Sequence, residues 1–284
     1  DGIVLGSEIF DEIMKEDKYV TAQYPFKSLN DKTHGLRKGE LTTITAGTGV
    51  GKSSFCRHVA LDLLKQDFGV GYIALEESIK RSALGIMGVH LKKPLHLTRE
   101  GISEKQLQET FKSTIGNGNF YLYNHFGNTI ADSLLNKIRY LAKSCEVDFV
   151  VLDHLHMALS ALGDSHTNDE RKLIDYFVSK LRTLVEETGI GVILISHLRR
   201  SEGDKGFEDG KEVTMNSLRG SASIGQLSDL IIGINRDIKS DKKLANLTIL
   251  KNRFSGETGK ACTLLYDLDT GCLSETTPDV LDDY

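Results

Sequence analysis

From Thr42 onward, short apolar runs rich in β-branched residues alternate with stretches whose apolar positions recur every three or four residues. The run through Thr42-Thr43-Ile44-Thr45 reads as a strand, and Phe55 to Leu61 as the helix after it. Val70 to Leu75 is a buried strand. Helices are predicted over Ile79 to His90, Ser103 to Ile115 and, by the spacing of Ile130, Leu134, Leu135, Ile138 and Leu141, just before the next strand. Phe120 to Tyr123 is a short strand, and Val147 to Leu152 a fully buried one. Leu173, Ile174, Phe177, Val178, Leu181, Leu184 and Val185 mark the clearest helix, stopped near Gly189. Ile190 to Ile195 is again a strand, a short helix follows at Ala222 to Leu227, and strands at Leu230–Ile234, Leu244–Leu250 and Ala261–Tyr266 close the pattern. Near-continuous apolar strands separated by helices predict an α/β fold, with a largely parallel sheet covered on both faces.

Two regions break the pattern. Ile3, Leu5, Ile9, Phe10, Ile13 and Met14 predict one short amphipathic helix ahead of the main fold, followed by Lys15-Glu16-Asp17-Lys18. Its apolar side needs a groove, either on its own domain or on a neighbouring subunit. Arg199 to Val213 is glycine-rich, charged and without period, and reads as a mobile loop. No polar linker separates a second core and no repeat is visible. The expectation is an N-terminal helix over residues 1–18 and one domain over residues 19–284.

Composition narrows the setting. With 39% hydrophobic residues in 284, the chain can build a substantial core. No apolar run approaches the ~18 residues needed to span a bilayer, and no stretch reads as a signal peptide. Cys56, Cys145, Cys262 and Cys272 show no C-x-x-C spacing, which favours reduced thiols inside a cell over structural zinc. A net charge of −5 argues against broad nucleic-acid affinity, so any such contact must be confined to local basic loops. The start at Asp1-Gly2, without Met, fits a piece of a longer protein.

The chemistry concentrates where the first strand ends. Ala46-Gly47-Thr48-Gly49-Val50-Gly51-Lys52-Ser53-Ser54 follows a strand and opens a helix, which is the context a P-loop requires. Glycines let successive N–H groups face one anion, and the helix adds its positive end. Lys52 would reach the β and γ phosphates and the Ser53 hydroxyl would ligate Mg²⁺. Ala46 stands where the strict pattern has its first glycine. Asp153, after four apolar residues, fits the Walker B carboxylate that holds Mg²⁺ beside Ser53. Glu76 ends the strand after the P-loop helix and is placed to activate water, whereas Glu77 reads as a solvated helix start. His197 ends another strand, either as a γ-phosphate sensor or as a satisfied core histidine. Lys251 and Arg253 follow a late strand on one side of an extended chain, where such pairs are ordinarily solvated edge charges.

Taken together, A-G-T-G-V-G-K-S, A-L-E-E-S, V-V-L-D-H, I-S-H-L, L-R-G-S-A and K-N-R-F-S-G-E-T-G resemble the ring helicases of superfamily four, above all the helicase half of phage primase–helicases and, more distantly, mitochondrial Twinkle. The resemblance runs from the first helix to about Tyr266. It implies a RecA-like P-loop NTPase core and nucleotide-driven 5′ to 3′ translocation on single-stranded DNA. The assembly would be a hexameric or heptameric ring, fuelled by ATP or dTTP with Mg²⁺. It implies that Glu76 is the catalytic base, that His197 and Gln226 sense the γ-phosphate, and that Arg253 with Lys251 acts on the neighbour's nucleotide. Arg236 and Tyr266 would sandwich the base, while Arg199, Lys205, Arg219 and Gly220 would line the DNA channel. It also implies that the first helix docks on a neighbouring subunit, a primase domain and a DNA polymerase as partners, and the host cytoplasm or, in the Twinkle line, the mitochondrial matrix. This chain has Gly225 where the phage pattern has an arginine, and no counterpart of a base-side arginine near Lys92-Lys93. Two other readings of a P-loop chain stand beside it: a recombinase-like filament, and an ATPase with no nucleic-acid partner.

Overall fold

The computed structural model describes residues 5–14, 20–47, 49–124, 131–155, 170–198, 207, 211–218, 222–236 and 243–276. The strands are β1 (Thr21–Ala22), β2 (Leu36–Arg37), β3 (Leu41–Ala46), β4 (Val70–Ala74), β5 (Phe120–Leu122), β6 (Phe149–Asp153), β7 (Gly191–His197), β8 (Leu230–Asn235), β9 (Leu244–Asn252), β10 (Gly259–Tyr266) and β11 (Leu273–Thr276). The helices are α1 (Phe10–Ile13), α2 (Lys27–Thr33), α3 (Lys52–Lys65), α4 (Ile79–Leu91), α5 (Glu104–Ser113), α6 (Ala131–Ser144), α7 (Glu170–Thr188) and α8 (Ala222–Leu227). Nine strands form one sheet in the order β11-β10-β9-β8-β3-β7-β6-β4-β5, and β1 and β2 pair separately. The six from β8 to β5 run parallel, while β9, β10 and β11 continue as an antiparallel meander.

Period-two burial explains the two layers. On β6, Phe149 and Val151 face α3 and α4, while Val150 and Leu152 face α6 and α7. Both faces of the central strands are therefore dry, and their sequences are apolar without alternation. The helix over the second face ends where expected, at Gly189, whose φ of 69° suits a residue without Cβ. α5 starts with a capping box between Ser103 and Gln106. Buried His58 ties α3 to β11: its Nδ1 bonds the Ser54 carbonyl and its Nε2 accepts from the Leu273 N–H.

The amphipathic stretch at the start is not one helix. A 3₁₀ turn at Gly6–Glu8 is followed by the single turn of α1, and Leu5, Ile9, Phe10, Ile13 and Met14 are all exposed. One turn cannot sustain itself without a packing surface, and the described part of the domain offers none to it. The glycine-rich stretch expected to be a mobile loop lies mostly outside the described residues. Within it Phe207 is buried, packed with Leu198 and Val213, and its Cβ closes on Gly47 of the P-loop. The four cysteines are free, and among the described residues no helix is long and apolar enough to cross a membrane.

Candidate functional site

The parallel strands all end on one side, and an open cleft of about 500 Å³ lies there. It is lined by the P-loop residues Gly49 to Ser54 and by Glu76, Asp153, His197, Arg236 and Tyr266. The loop turns on two positive-φ glycines, Gly49 at 73° and Gly51 at 110°, so that α3 begins at Lys52 with its free N–H groups toward the cleft. The Lys52 head donates to the carbonyls of Ala46 (3.1 Å) and Gly47 (2.7 Å). Thr48 lies outside the described residues.

Ser53 Oγ donates to Asp153 Oδ2 at 2.7 Å, which ties the helix after β3 to the end of β6, two strands that are not neighbours in the sheet. Burial holds the Asp153 carboxyl above its ordinary pKa, against the opposing effects of Ser53 and His154. A hydroxyl and a desolvated carboxylate side by side form an all-oxygen donor pair, the kind that Mg²⁺ takes beside nucleotide phosphates. The residues present fit that ion.

Glu76 stands two residues past β4, its side chain more than half exposed, and its Oε1 is 2.6 Å from His154 Nε2. His154 in turn meets the ring of His197 edge-on, with centroids 4.1 Å apart. Glu77 is not the solvated residue its sequence suggests. It accepts from Arg57 (2.7 Å) and Ser82 (2.8 Å), which fixes the start of α4 to α3. Arg57 lies over Gly85, where any side chain would collide with its guanidinium.

Arg236 follows β8 and Tyr266 ends β10, and both reach the cleft because two antiparallel turns bring β10 back to the direction of β8. Arg236 Nε is buried and makes no hydrogen bond among the described residues. Lys243, Arg81 and His96 also line the cleft; none of them carried a motif to draw the eye. His154 was within reach of sequence reading, since it directly follows Asp153.

Three expected site residues are elsewhere. β9 runs against β8 with Asn252 facing Leu230, and Leu230 faces Thr42 at the start of β3. Lys251 and Arg253 therefore sit at the end of the sheet opposite the P-loop, four strand steps or about 13 Å away along β3. Lys251 Nζ donates to the carbonyls of Gly225 (2.7 Å) and Gln226 (2.9 Å). Arg253 donates to the Gln226 carbonyl (3.1 Å) and Asp229 Oδ1 (3.0 Å), and Arg182 holds the other Asp229 oxygen. Gln226 is thus exposed at the C-terminal end of α8 and is not in its own chain's cleft. Arg199, Lys205, Arg219 and Gly220 lie outside the described residues.

Comparison with known proteins bears on this arrangement. The description "DnaB-like helicase C terminal domain" matches residues 22–271. This chain belongs to the DnaB-like helicase C-terminal domain family. It is 37% identical over 257 residues to the DNA helicase/primase of Enterobacteria phage T3, covering 88% of this chain and 45% of that protein. To the replicative DNA helicase DnaB of Leifsonia xyli it is 24% identical over 240 residues, covering 80% of this chain and 50% of that protein. The chain thus spans about half the length of these relatives. Among solved structures, a DnaB-like replicative helicase, described together with its interactions with primase, superposes with a TM-score of 0.75 at 20% identity. The match covers 98% of this chain and 68% of that one, and so the two share the fold. The parallel sheet flanked by helices is that of the DnaB-like domain.

Proposed function

We propose that this chain is the motor domain of a replicative ring helicase, hydrolysing nucleoside triphosphate to move 5′ to 3′ on single-stranded DNA and open the duplex. One observation carries the reading. A P-loop, a Ser53–Asp153 oxygen pair and a half-exposed Glu76 share one cleft, while the cations Lys251 and Arg253 are held at the opposite end of the sheet. Phosphoryl transfer needs a positive group against the charge that develops on the γ-phosphate. Within one chain these cations cannot supply it, so they act on a neighbour's nucleotide.

In this reading Lys52 and the loop N–H groups from Gly47 to Ser54, Thr48 included, hold the phosphates of ATP or dTTP. Ser53 and Asp153 would hold Mg²⁺, which when bound would neutralise phosphate charge. Glu76 takes the proton of the attacking water, His197 senses the γ-phosphate, and Arg236 and Tyr266 flank the base. Gln226, fixed at the cation end, reports on a neighbour's γ-phosphate. Arg199, Lys205, Arg219 and Gly220 hold the DNA strand through its phosphates, independent of sequence. The exposed apolar side chains before residue 15 clasp the next subunit, which makes residues 1–18 a linker and 19–284 the motor. The assembly is a hexamer or heptamer that works with a primase domain and a DNA polymerase in the cytoplasm of an infected host cell.

The test is hydrolysis with and without single-stranded DNA, together with unwinding of forked duplexes and electron microscopy of the assembly. DNA-stimulated hydrolysis, fork opening from a 5′ tail and closed rings are expected. Filaments with strand exchange, or hydrolysis indifferent to DNA, would overturn the reading.

A further inference from the structure

Asp153 is followed by a histidine whose side chain is almost wholly buried, in a place where the sheet has just run out of apolar residues. We propose that His154 is a positioning residue: its Nε2–H holds the carboxylate of Glu76 in the orientation that takes a proton from the attacking water. The inference rests on the role given to Glu76 above.

Glu76 needs such a hold. It lies past the end of β4 on the turn before α4, and its side chain is 55% exposed. A glutamate so placed samples many rotamers, and a base that wanders is in line with its proton only part of the time. Among the described residues, the bond from His154 is the only hydrogen bond the Glu76 carboxylate makes. Glu77 beside it shows the contrast: both of its oxygens are bound, by Arg57 and by Ser82, and it anchors the backbone. His154 itself cannot wander. It is fixed at the end of β6, its side chain is 6% exposed, and His197 closes on its ring.

The ligand atoms of Glu76, His154 and His197 lie within 4.8 Å of one another, near enough to share a metal ion. The Glu76–His154 separation of 2.6 Å argues for the hydrogen bond, because two ligands of a tetrahedral ion stand about 3.3 Å apart. An ionised carboxylate only accepts, so the shared proton belongs to His154 Nε2. His154 keeps that proton through the reaction, and Glu76 alone takes the one released by water. The same ring touches His197, so a His197 shifted by the terminal phosphate presses on the group that aligns the base.

The experiment compares His154→Ala, His154→Gln, Glu76→Gln and the His154→Ala/Glu76→Gln double variant. It measures kcat and KM for hydrolysis on single-stranded DNA, with the Kd of a fluorescent triphosphate by anisotropy. His154→Ala should lower kcat by about 10- to 100-fold, a part of what a general base contributes, with Kd changed less than about 2-fold. His154→Gln, whose amide N–H reaches nearly as far as Nε2, should recover most of that loss. In the Glu76→Gln background, His154→Ala should cost nothing further. Near-normal turnover of Glu76→Gln would overturn the role of Glu76 and this proposal with it. Loss in Glu76→Gln but not in His154→Ala would overturn the proposal alone. So would a fall in kcat and affinity together that glutamine fails to restore, since that is the mark of a merely structural histidine.

Discussion

The two ends of the parallel sheet treat charge in opposite ways. At the carboxyl end, β3, β4, β6 and β7 release Lys52, Glu76, Asp153 and His197 into an open cleft, and their mutual bonds are few. At the amino end, polar groups are bound to the protein itself. Asp229 is 5% exposed and accepts from the Leu41 N–H, Arg182 and Arg253. Lys251 and Arg253 close off the carbonyls at the end of α8, where cations are favoured. Burial lowers the Lys251 pKa, with Arg253 beside it adding to the effect. The end of β9 and the turn after it, which carry them, are locked twice more. Buried Asn252 bonds Ser255 (2.7 Å) and the Lys32 carbonyl (3.2 Å), and Phe254 lies 4.0 Å from the guanidinium of buried Arg37. One end is shaped to receive charge and the other to present it rigidly.

That contrast breaks first at Arg253. Arg253→Ala should lower turnover by about 10³- to 10⁵-fold, roughly 4–7 kcal/mol of barrier, if its guanidinium meets a neighbour's phosphate. In mixtures with wild type, activity should fall faster than the mutant fraction, because each altered subunit silences a site it does not own. A linear fall would mean that each copy hydrolyses alone. Arg253 is half exposed, so the thermal midpoint should hardly move.

The amino end was the less legible from the chain. Lys251 and Arg253 stand out only as two cations near each other, and no local pattern announces Asp229 as the partner of Arg253 from 24 residues away. The strand runs, by contrast, showed themselves because double-sided burial removes polar residues from them. β1, β2 and α2 went unseen: two-residue pairings and a seven-residue helix leave too little periodicity. β11 leaves no apolar pattern because it has only four residues and none of them is fully buried. The P-loop, Asp153 and Glu76 are readable because each lies at or just past the end of an apolar strand run, whereas the anchoring by Glu77 depends on Arg57, which is one helix away.

Removing Asp229 tests how firmly the presenting end is built. Asp229→Ala should destabilise the domain by about 2–4 kcal/mol, since Arg182 and the Leu41 N–H lose a buried partner. Chemical denaturation would measure it. Assembly-dependent turnover should also fall, while nucleotide binding at the other end stays within about 2-fold. Equal loss at both ends would erase the distinction.

The smallest effect belongs to the receiving end. Burial raises the Asp153 pKa, so its ionised form weakens the folded state at neutral pH. Asp153→Asn should therefore stabilise the ligand-free protein at neutral pH, seen as a higher thermal midpoint, while hydrolysis collapses. The advantage should fade as pH drops through the carboxylate range, because the native aspartate then takes up a proton and sheds the same penalty. A stability difference that does not change with pH would mean that Asp153 is ionised at no cost.

Opposed ends also decide what symmetry the copies can adopt. A contact that seats one copy's cation turn in another's cleft uses two different patches, so it can never be a handshake between equals. In the proposed assembly each copy would follow the last, nose to tail, and the row would either close on itself or grow without end. A closed row built this way has a clockwise and an anticlockwise sense that cannot be exchanged. Any thread through its middle meets every subunit in the same order, which gives a motor a forward and a reverse before any fuel is burned.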